Sequence, residues 1–404
     1  MSNSTISNST LSESTMAGAS TSGIPIPGIF PRRSLGTDLL IRLRQNIGLV
    51  TAIGLFCVVY VFYHFAHPKG FSSAVFVQNA DEVFTLAMVA MAQTLPVLAA
   101  GLDLSVGAVM TMVGCLASYL LSGAAQGTPI EFSFGGTPHI LATLPGGIAG
   151  IIAGTFICLI AGTLAGFFNG CVVVYGRIQP IIATLATGAI YIGIALFLRP
   201  TPGGKIDDDL NWALTNSLQD FASTVHIFDD GNAPWFAPFG TIPVPFILIV
   251  MIALLAWVPF RRSVTGRSVY AIGSAEGAAY MSGLRIDRAK LAAFTLAGFF
   301  AGCGGLFLAI QTSSGNADIP QAGTYTLNSI AAVVIGGTSL LGGTGGAIGS
   351  IFGALILRVI SFFFRIFDIA PLLQPLFEGI ILLAAVSIGA LRVLRVKNTL
   401  ELFR

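Results

Sequence analysis

Long apolar runs separated by short polar stretches dominate the sequence from about residue 46 onward. Residues 83–102 contain no Asp, Glu, Lys or Arg, and neither does the longer stretch 132–176. A helix of about 20 apolar residues is long enough to cross the hydrocarbon core of a membrane. The pattern therefore predicts about ten membrane-spanning helices, at about 46–65, 83–102, 104–122, 145–174, 179–198, 243–260, 291–311, 325–341, 346–365 and 370–391.

The segments outside these spans differ in composition. Residues 1–45 form an arm rich in Ser, Thr and Asn that we expect to be disordered, and residues 393–404 form a short tail. Between them, residues 46–392 are predicted to be one transmembrane domain. Its longest polar loops are an acidic one at 200–240 and a basic one at 261–290, and a further loop is predicted at 124–142.

Composition narrows the class of protein. The chain is 54% hydrophobic and 9% charged, whereas an average soluble protein is roughly 25% charged. A soluble domain needs more charge than this to cover its surface, and a membrane β-barrel alternates polar with apolar residues. A net charge of +2 gives no reason to expect nucleic-acid binding. The prediction is an all-α, polytopic membrane helix bundle.

The basic residues predict an orientation. The segments 1–46, 176–178, 261–290 and 391–404 hold 15 of the 20 Lys and Arg residues, and ten spans place all four on one face. Loops rich in Lys and Arg stay on the cytoplasmic side of a membrane. Both termini are therefore predicted to be cytoplasmic, and the acidic 200–240 loop to lie outside.

Glycines four residues apart recur inside the predicted spans, so each set occupies one helix face. Such small residues allow helix backbones to approach closely, either within one subunit or across a dimer. The sets are Gly150 and Gly154; Gly162, Gly166 and Gly170; Gly298 and Gly302; and Gly345, Gly349 and Gly353.

No catalytic, metal or cofactor site is predicted on this chain. The four histidines are scattered, and the five cysteines lie in apolar runs without metal-ligand spacing. The glycine-rich stretch 336–346 contains no lysine and follows a predicted span. It is therefore interpreted as an unwound link between packed helices rather than a phosphate-binding loop. Any ATP used in transport must be hydrolysed by another chain.

Asp103 is a lone carboxylate in a Gly-Leu-Asp-Leu-Ser turn between two spans. It is interpreted as a cap that accepts hydrogen bonds from the first turn of the next helix, with an ion relay as the alternative. Uncharged polar residues in the spans are candidates for a translocation path, with ordinary helix-to-helix hydrogen bonding as the competing interpretation. The path candidates are Gln93, Asp103, Ser105, Asn169, Gln179, Thr184 and Asn328.

A short helix is predicted between the basic flanks of the 261–290 loop. Ser274 is placed to cap it, Glu276 favours its first turn, and Gly283 is placed to end it. Its small side chains suit insertion into a groove of a partner protein, although an ordinary connector has the same composition.

Four stretches resemble one known family. They are residues 100–107, 179–191, 266–283 and 331–346, in family order and spacing. The chain resembles, over about residues 80–391, the permease subunits of ribose-type bacterial ABC importers for monosaccharides. The arm and the acidic 200–240 loop depart from the usual pattern of that family.

The resemblance implies a permease fold of the ribose/vitamin-B12-like type in the bacterial inner membrane. It implies a second permease copy, identical or related, and an ABC ATPase subunit that binds ATP and Mg. It also implies a periplasmic binding protein that delivers a monosaccharide or sugar alcohol. The 261–290 loop would contain the coupling helix to the ATPase, with Ser274, Glu276, Ala278, Ala279 and Gly283 as its coupling residues.

Three rival functions remain open at this stage. A secondary transporter driven by an ion gradient would need charges at the middle of its spans, which are scarce here. A membrane-embedded enzyme would need a catalytic constellation. A permease of the same family for branched-chain amino acids or nucleosides is the third.

Overall fold

The computed structural model describes residues 46–68, 72–122, 129–134, 137–225 and 237–370, together with residue 127 and isolated positions between 373 and 387. The arm predicted at 1–45 and the tail predicted at 393–404 lie outside the described residues, as does most of the span predicted at 370–391.

Helices make up nearly all of the described chain. They are α1 (Ile47–Ala66), α2 (Ser73–Leu98), α3 (Val106–Leu120), α4 (Ile148–Val174), α5 (Pro180–Leu198), α6 (Asp208–Thr215), α7 (Leu218–Thr224), α8 (Ala237–Gly240), α9 (Val244–Arg262, with a π-helical turn at Ala253–Trp257), α10 (Val264–Ser274), α11 (Glu276–Met281), α12 (Ile286–Thr312), α13 (Ile319–Ile335) and α14 (Ala347–Ile366). The prediction of an all-α, polytopic membrane bundle is confirmed.

Seven of the helices in the described ranges are long and apolar enough to cross a membrane, namely α1, α2, α4, α5, α9, α12 and α14. Two further predicted spans correspond to shorter helices, α3 with 15 residues and α13 with 17. At a rise of 1.5 Å per residue these two extend about 22 Å and 25 Å, which is less than the ~30 Å hydrocarbon core.

The loop predicted at 124–142 contains a small antiparallel hairpin instead of irregular chain. Its strands are β1 (Pro129–Phe134) and β2 (Thr137–Thr143), joined across residues 135–136. They are the only two strands among the described residues, and in the sequence they come between α3 and α4.

Helices α2 and α12 form the centre of the bundle and are its most buried long helices. The most extensive helix contact joins α12 to α4, and α12 also packs against α2 and α3. Buried side chains of α2 and α12 such as Met88, Leu95 and Phe300 occupy the middle of the core. Helices α4 and α5 leave many large apolar side chains exposed, as expected for faces that meet lipid.

The glycine sets explain how α4 and α12 come so close. A Cβ at Gly166 would lie 2.3 Å from the carbonyl oxygen of Phe294, and one at Gly298 would lie 2.3 Å from that of Gly162. No side chain larger than hydrogen fits between these backbones. The set Gly162, Gly166 and Gly170 therefore packs against α12 within one subunit, with Gly298 and Gly302 facing it. For these two sets the structure shows packing inside the subunit, which was one of the two alternatives that the sequence left open.

A second glycine contact joins α13 to α14. A Cβ at Gly353 would lie 2.0 Å from the carbonyl oxygen of Ala332, and one at Gly349 would lie 2.2 Å from that of Gly336. This set also serves packing inside the subunit. It holds the second of the two short helices against the apolar α14.

The two short helices are preceded by non-helical chain. After the last residue of α2, Ala100 has a left-handed backbone conformation with φ +58°. The amides of Ala100 and Gly101 donate to carbonyls of the last turn of α2. Helix α12 ends with Ser313 at φ +47°. Residues 101–105 and 314–318 then lead into α3 and α13. The first turn of α3 meets α13 where the amide of Gly107 donates to Thr326 Oγ1 at 3.1 Å.

Candidate functional site

A buried polar cluster surrounds the interruption between α2 and α3. Asp103 Oδ1 accepts from the hydroxyl and the amide of Ser105, at 2.6 Å and 2.8 Å. Asn169 Nδ2 on α4 donates to Ser105 Oγ at 2.7 Å, and the Tyr191 hydroxyl on α5 donates to Asn169 Oδ1 at 2.9 Å. These hydrogen bonds connect helices α4 and α5 to one turn, and all four side chains are buried.

Thr184 connects the same turn to the start of α5. Its hydroxyl donates to the carbonyl of Pro180 and accepts from the amide of Leu104 at 2.9 Å. The cluster thus brings together four of the seven predicted path residues, namely Asp103, Ser105, Asn169 and Thr184.

The other three predicted path residues occupy different settings. Gln93 is fully buried in α2, and neither atom of its side-chain amide has a hydrogen-bond partner in the described part of the chain. Gln179 is exposed immediately before α5, where Pro180 begins the helix. Asn328 is half-buried on α13.

The predicted cap by Asp103 is wrong in detail. Ser105, not Asp103, occupies the N-cap position of α3, and neither side chain accepts from the amides of the first turn. Asp103 instead closes a turn on Ser105 two residues later. The physical reason is the short spacing, because a carboxylate two residues before the N-cap residue reaches the N-cap amide more directly than the amides beyond it.

The 261–290 loop contains α10, α11 and the start of α12. Gly283 follows α11 at φ +74°, its amide bonds to the carbonyl of Tyr280, and the amide of Leu284 bonds to that of Ala279. These two bonds form a Schellman motif, which needs a left-handed residue and so favours glycine. The prediction that Gly283 ends the short helix is confirmed.

The predicted cap by Ser274 is wrong. Ser274 belongs to α10, where its hydroxyl donates to the carbonyl of Tyr270, and Ala275 holds the N-cap position of α11. A serine inside a helix commonly bonds to the carbonyl four residues earlier. Glu276 lies in the first turn of α11 as predicted, and its carboxylate pairs with Lys290 Nζ at 2.6 Å.

Helix α11 presents most of its surface outward. Ala279 is buried, whereas Ala278 is exposed and the larger side chains of Tyr280 and Met281 are 68% and 84% exposed. Two large exposed apolar side chains on a six-residue helix have no packing role within the described chain. A surface of this kind is typical of a contact with another protein.

Backbone contacts connect α10 to the end of α2. A Cβ at Gly273 would lie 1.9 Å from the carbonyl oxygen of Leu98, and that oxygen accepts from the amide of Gly343 at 3.1 Å. Burial raises the pKa of the Tyr270 phenol, and its hydroxyl donates to the carbonyl of Gly345 at 2.9 Å. We call the contact among Gly273, Leu98 and Gly343 the latch.

The glycine-rich stretch 336–346 is an ordered link between α13 and α14. Four of its glycines have positive φ, and Gly337 packs against Gly48 on α1 at backbone distance. Thr338 Oγ1 accepts from the amide of Gly346 at 3.1 Å. The geometry agrees with an unwound connection between packed helices.

Arg358 is an intramembrane charge that the sequence interpretation did not weigh. It lies within α14, where Nη2 donates to the Tyr325 hydroxyl on α13 at 2.9 Å, and its buried Nε has no partner in the described part of the chain. Ionisable residues in such positions are usually functional. The sequence contained the signal, because the predicted 346–365 span has two charged residues, and Arg358 lies in its interior whereas Arg365 is its last residue.

Comparison with known proteins identifies the family. The model of the family described as "Branched-chain amino acid transport system / permease component" matches residues 76–386. The chain belongs to this permease family. The resemblance found in the four sequence stretches is thereby confirmed. No solved structure matches the chain.

Relatives of this permease include importers of sugars. The ribose import permease protein of Haemophilus influenzae is 30% identical over 86% of this chain and 92% of its own length. The one from Bacillus subtilis is 31% identical over 83% and 90%, and the fructose import permease protein of Rhizobium meliloti is 32% identical over 79% of each. These relatives are permease subunits of transport systems.

Proposed function

We propose that this permease is the membrane-spanning subunit of an ATP-driven importer for a monosaccharide or sugar alcohol. A periplasmic binding protein would deliver the sugar, and a separate subunit would hydrolyse ATP with Mg. The observation that carries the proposal is similarity to sugar import permeases along most of both chains.

The buried cluster fits a neutral substrate better than a coupled ion. Each of its side-chain contacts is a hydrogen bond, and its one carboxylate, Asp103, is already engaged by Ser105. Interrupted helices often provide the substrate path of transporters, because freed backbone groups can line a cavity there. The ion-driven rival lacks comparable support.

The α10–α11 loop is the proposed contact with the ATPase. Glu276, Ala278, Ala279 and Gly283 occupy a short, capped helix that exposes Tyr280 and Met281. A movement of α11 would pass through α10 and the latch to Leu98, five residues before Asp103. Rigid packed elements of this kind transmit displacement between distant sites.

The orientation follows from the same proposal. The basic 261–290 loop would face the cytoplasm and the ATPase, and residues 200–225 would face the periplasm of a bacterial inner membrane. In this orientation the C-terminal end of α2, with Leu98 at the latch, would lie near the cytoplasmic face, and its N-terminal part, where Asp81 bonds to Gln311 of α12, would lie near the periplasmic face. A second permease copy, identical or related, would complete the assembly.

The first experiment is a mild-detergent pull-down of the tagged permease with the mass of every co-purifying chain. We expect an ATP-binding subunit at one per permease, and a second permease species in the case of a heterodimer. Crosslinking before solubilisation controls for dissociation. Recovery of the permease alone after crosslinking would contradict the proposal.

Uptake then tests the substrate class. Proteoliposomes with the co-purified ATPase are supplied with ATP inside and the binding protein outside. The panel contains ribose, allose, fructose and a sugar alcohol, and leucine is included because the family description names amino-acid transport. We expect sugar uptake that requires ATP and survives a protonophore. Uptake that is abolished when the protonophore collapses the proton gradient would favour the secondary transporter.

A further inference from the structure

A polar cavity of about 510 Å³ opens at the end of α2 opposite the latch. One wall is the first two turns of α2, from Ser73 to Asp81. The other is the junction of α6 and α7 at residues 215–220, and Gly240 and Thr241 complete the lining. Ligand pockets in proteins commonly enclose about 300–1,000 Å³, so this cavity has room for a small molecule.

The wall formed by residues 215–220 is held in place by hydrogen bonds. Ser217 and Asp220 form a capping box at the start of α7, and Asp207 caps α6 by accepting from two backbone amides. The amide of Leu218 donates to the carbonyl of Ile242 at 2.8 Å, and the amide of Val244 donates to that of Asn216 at 3.0 Å. These contacts fix the α6–α7 junction against the start of α9 before any ligand arrives.

The wall formed by α2 is anchored in the core of the bundle. Gln311 Nε2 at the end of α12 donates to Asp81 Oδ2 at 2.8 Å, while Asp81 Oδ1 has no partner among the described residues. Asn211 Nδ2 on α6 also donates to the carbonyl of Gln311, at 3.2 Å. The C-terminal end of α12 therefore contacts both walls and fixes their relative position.

The chemistry of the lining selects a class of ligand. Uncharged hydroxyl and amide side chains predominate, two carboxylates accompany them, and no Lys, Arg or His occurs among the described residues that line the cavity. An anionic ligand would find no counter-charge. The apolar lining is limited to Ala74, Val77 and Gly240, which offers little to a lipid. What remains is a neutral molecule with many hydroxyl groups, or a cation.

Two amides are free to recognise such a ligand. The side chains of Gln78 and Gln219 are exposed on opposite walls, and neither makes a hydrogen bond within the described chain. Each amide offers two donors and one acceptor. Paired amides and carboxylates that face each other across a cavity match the alternating donors and acceptors of sugar hydroxyls.

We propose that this cavity is a monosaccharide-binding site on the permease itself, formed jointly by α2 and the α6–α7 segment, with Gln78 and Gln219 as its recognition residues. The proposal rests on the proposed function for the choice of a sugar over other neutral polyols. It gives a role to residues 215–220 of the acidic loop.

The test is saturation-transfer difference NMR on the full-length permease in lipid nanodiscs, without the binding protein. The probes are D-ribose, D-allose, D-fructose and D-sorbitol, each titrated to obtain an affinity. We expect at least one to bind wild type, and Gln78→Ala with Gln219→Ala to weaken that binding about tenfold, since two hydrogen-bonding side chains are lost. Both residues are exposed, so the double variant is expected to fold.

The matched control is Asp209→Ala, an exposed position on α6 outside the cavity. We expect it to bind as wild type does. Equal affinity of the double variant and wild type would overturn the proposal, and so would binding that is lost on adding EDTA, which marks a cation site.

Uptake by the same wild-type preparation, reconstituted with its partner subunits, separates the two proposals. Sugar uptake without binding of any probe to the isolated permease would overturn the cavity site and leave the importer function standing. Binding that depends on Gln78 and Gln219 in a preparation that takes up no sugar would uphold the cavity and count against the importer.

Discussion

The α2–α3 interruption and the α10–α11 loop are both short turns built from small residues, yet their surroundings are opposite. In the first, Asp103 and Ser105 are buried and bonded to side chains of α4 and α5 through Asn169. In the second, α11 exposes Tyr280 and Met281, and its main side-chain contact is the exposed pair of Glu276 with Lys290.

This difference in burial predicts how changes in each turn affect the stability of the bundle. Buried polar groups must be satisfied inside the protein, so changes at the interruption lower the stability of the bundle. Exposed groups on α11 contribute little to stability, so changes there are expected to leave the stability of the bundle near that of wild type. The following predictions test that division.

The largest effect is expected at the start of α3, where Gly107 meets α13. A Cβ at Gly107 would lie 2.0 Å from the carbonyl oxygen of Ala322. We expect Gly107→Ala to cost at least the ~1–3 kcal/mol typical of overpacking and to reduce the yield of monodisperse protein in size exclusion. Gly193→Ala on α5, where nothing lies within 4 Å, is the matched control and should keep wild-type yield. Equal yields for the two variants would refute the close contact.

The next effect is expected at Asp103. Asp103→Ala leaves the buried amide and hydroxyl of Ser105 without their acceptor, at a cost of about 1–3 kcal/mol. Asp103→Asn keeps an acceptor oxygen and should lose less. The measurement is thermal unfolding in detergent, read together with uptake. A wild-type melting temperature for Asp103→Ala would show that the cluster is not structural.

Changes on α11 should separate uptake from stability. We expect Glu276→Lys, and Gly283→Pro at the φ +74° position, to leave the melting temperature of the bundle near wild type while uptake falls and ATP hydrolysis continues. Both rates are measured in the same proteoliposomes.

The charge swap Glu276→Lys with Lys290→Glu is the control for these variants, because it keeps the local ion pair. We expect uptake to stay low, since the exposed carboxylate is proposed to meet the ATPase. Recovery of uptake in the swap would assign Glu276 a purely local role.

The smallest effect on stability is expected at Gln179, which is exposed at the start of α5. Gln179→Ala should stay within about 0.5 kcal/mol of wild type. We expect it to lower the uptake rate while the apparent capture affinity is unchanged, because capture is assigned to the binding protein in the proposed function. Asn169→Ala is the buried counterpart and should lower both the melting temperature and the uptake rate. Wild-type uptake in both variants would remove them from the path.

The sequence predicted the bundle well where a helix faces lipid and less well where it faces protein. Spans α1, α4 and α5 begin and end within three residues of their predicted limits. Helix α2 begins at Ser73, ten residues before the predicted 83, because Asp81 and Glu82 are satisfied by Gln311 and Arg365. A hydropathy pattern shows that a side chain is charged, but it does not show the hydrogen-bond or ion-pair partner that a distant helix provides.

The same limit applies to the candidate site. Spacing alone indicated that each glycine set lies on one helix face and packs closely, because one face of a helix is defined locally. Spacing did not indicate that these sets join α4 to α12, or that Asn169 would bond to both Ser105 and Tyr191, since those contacts depend on how the helices pack. The incorrect caps at Asp103 and Ser274 arose where several nearby backbone groups compete for one side chain.

The meeting of α3 with α13 has an electrostatic consequence. Each helix carries a partial positive charge at its N-terminus, arising from aligned peptide dipoles. The first turn of α3 lies against α13, and an aspartate precedes each helix, Asp103 before α3 and Asp318 before α13. Both acidic residues of this contact therefore lie where a helix dipole favours a negative charge, which lowers the free-energy cost of placing a carboxylate at the start of a helix within the bundle.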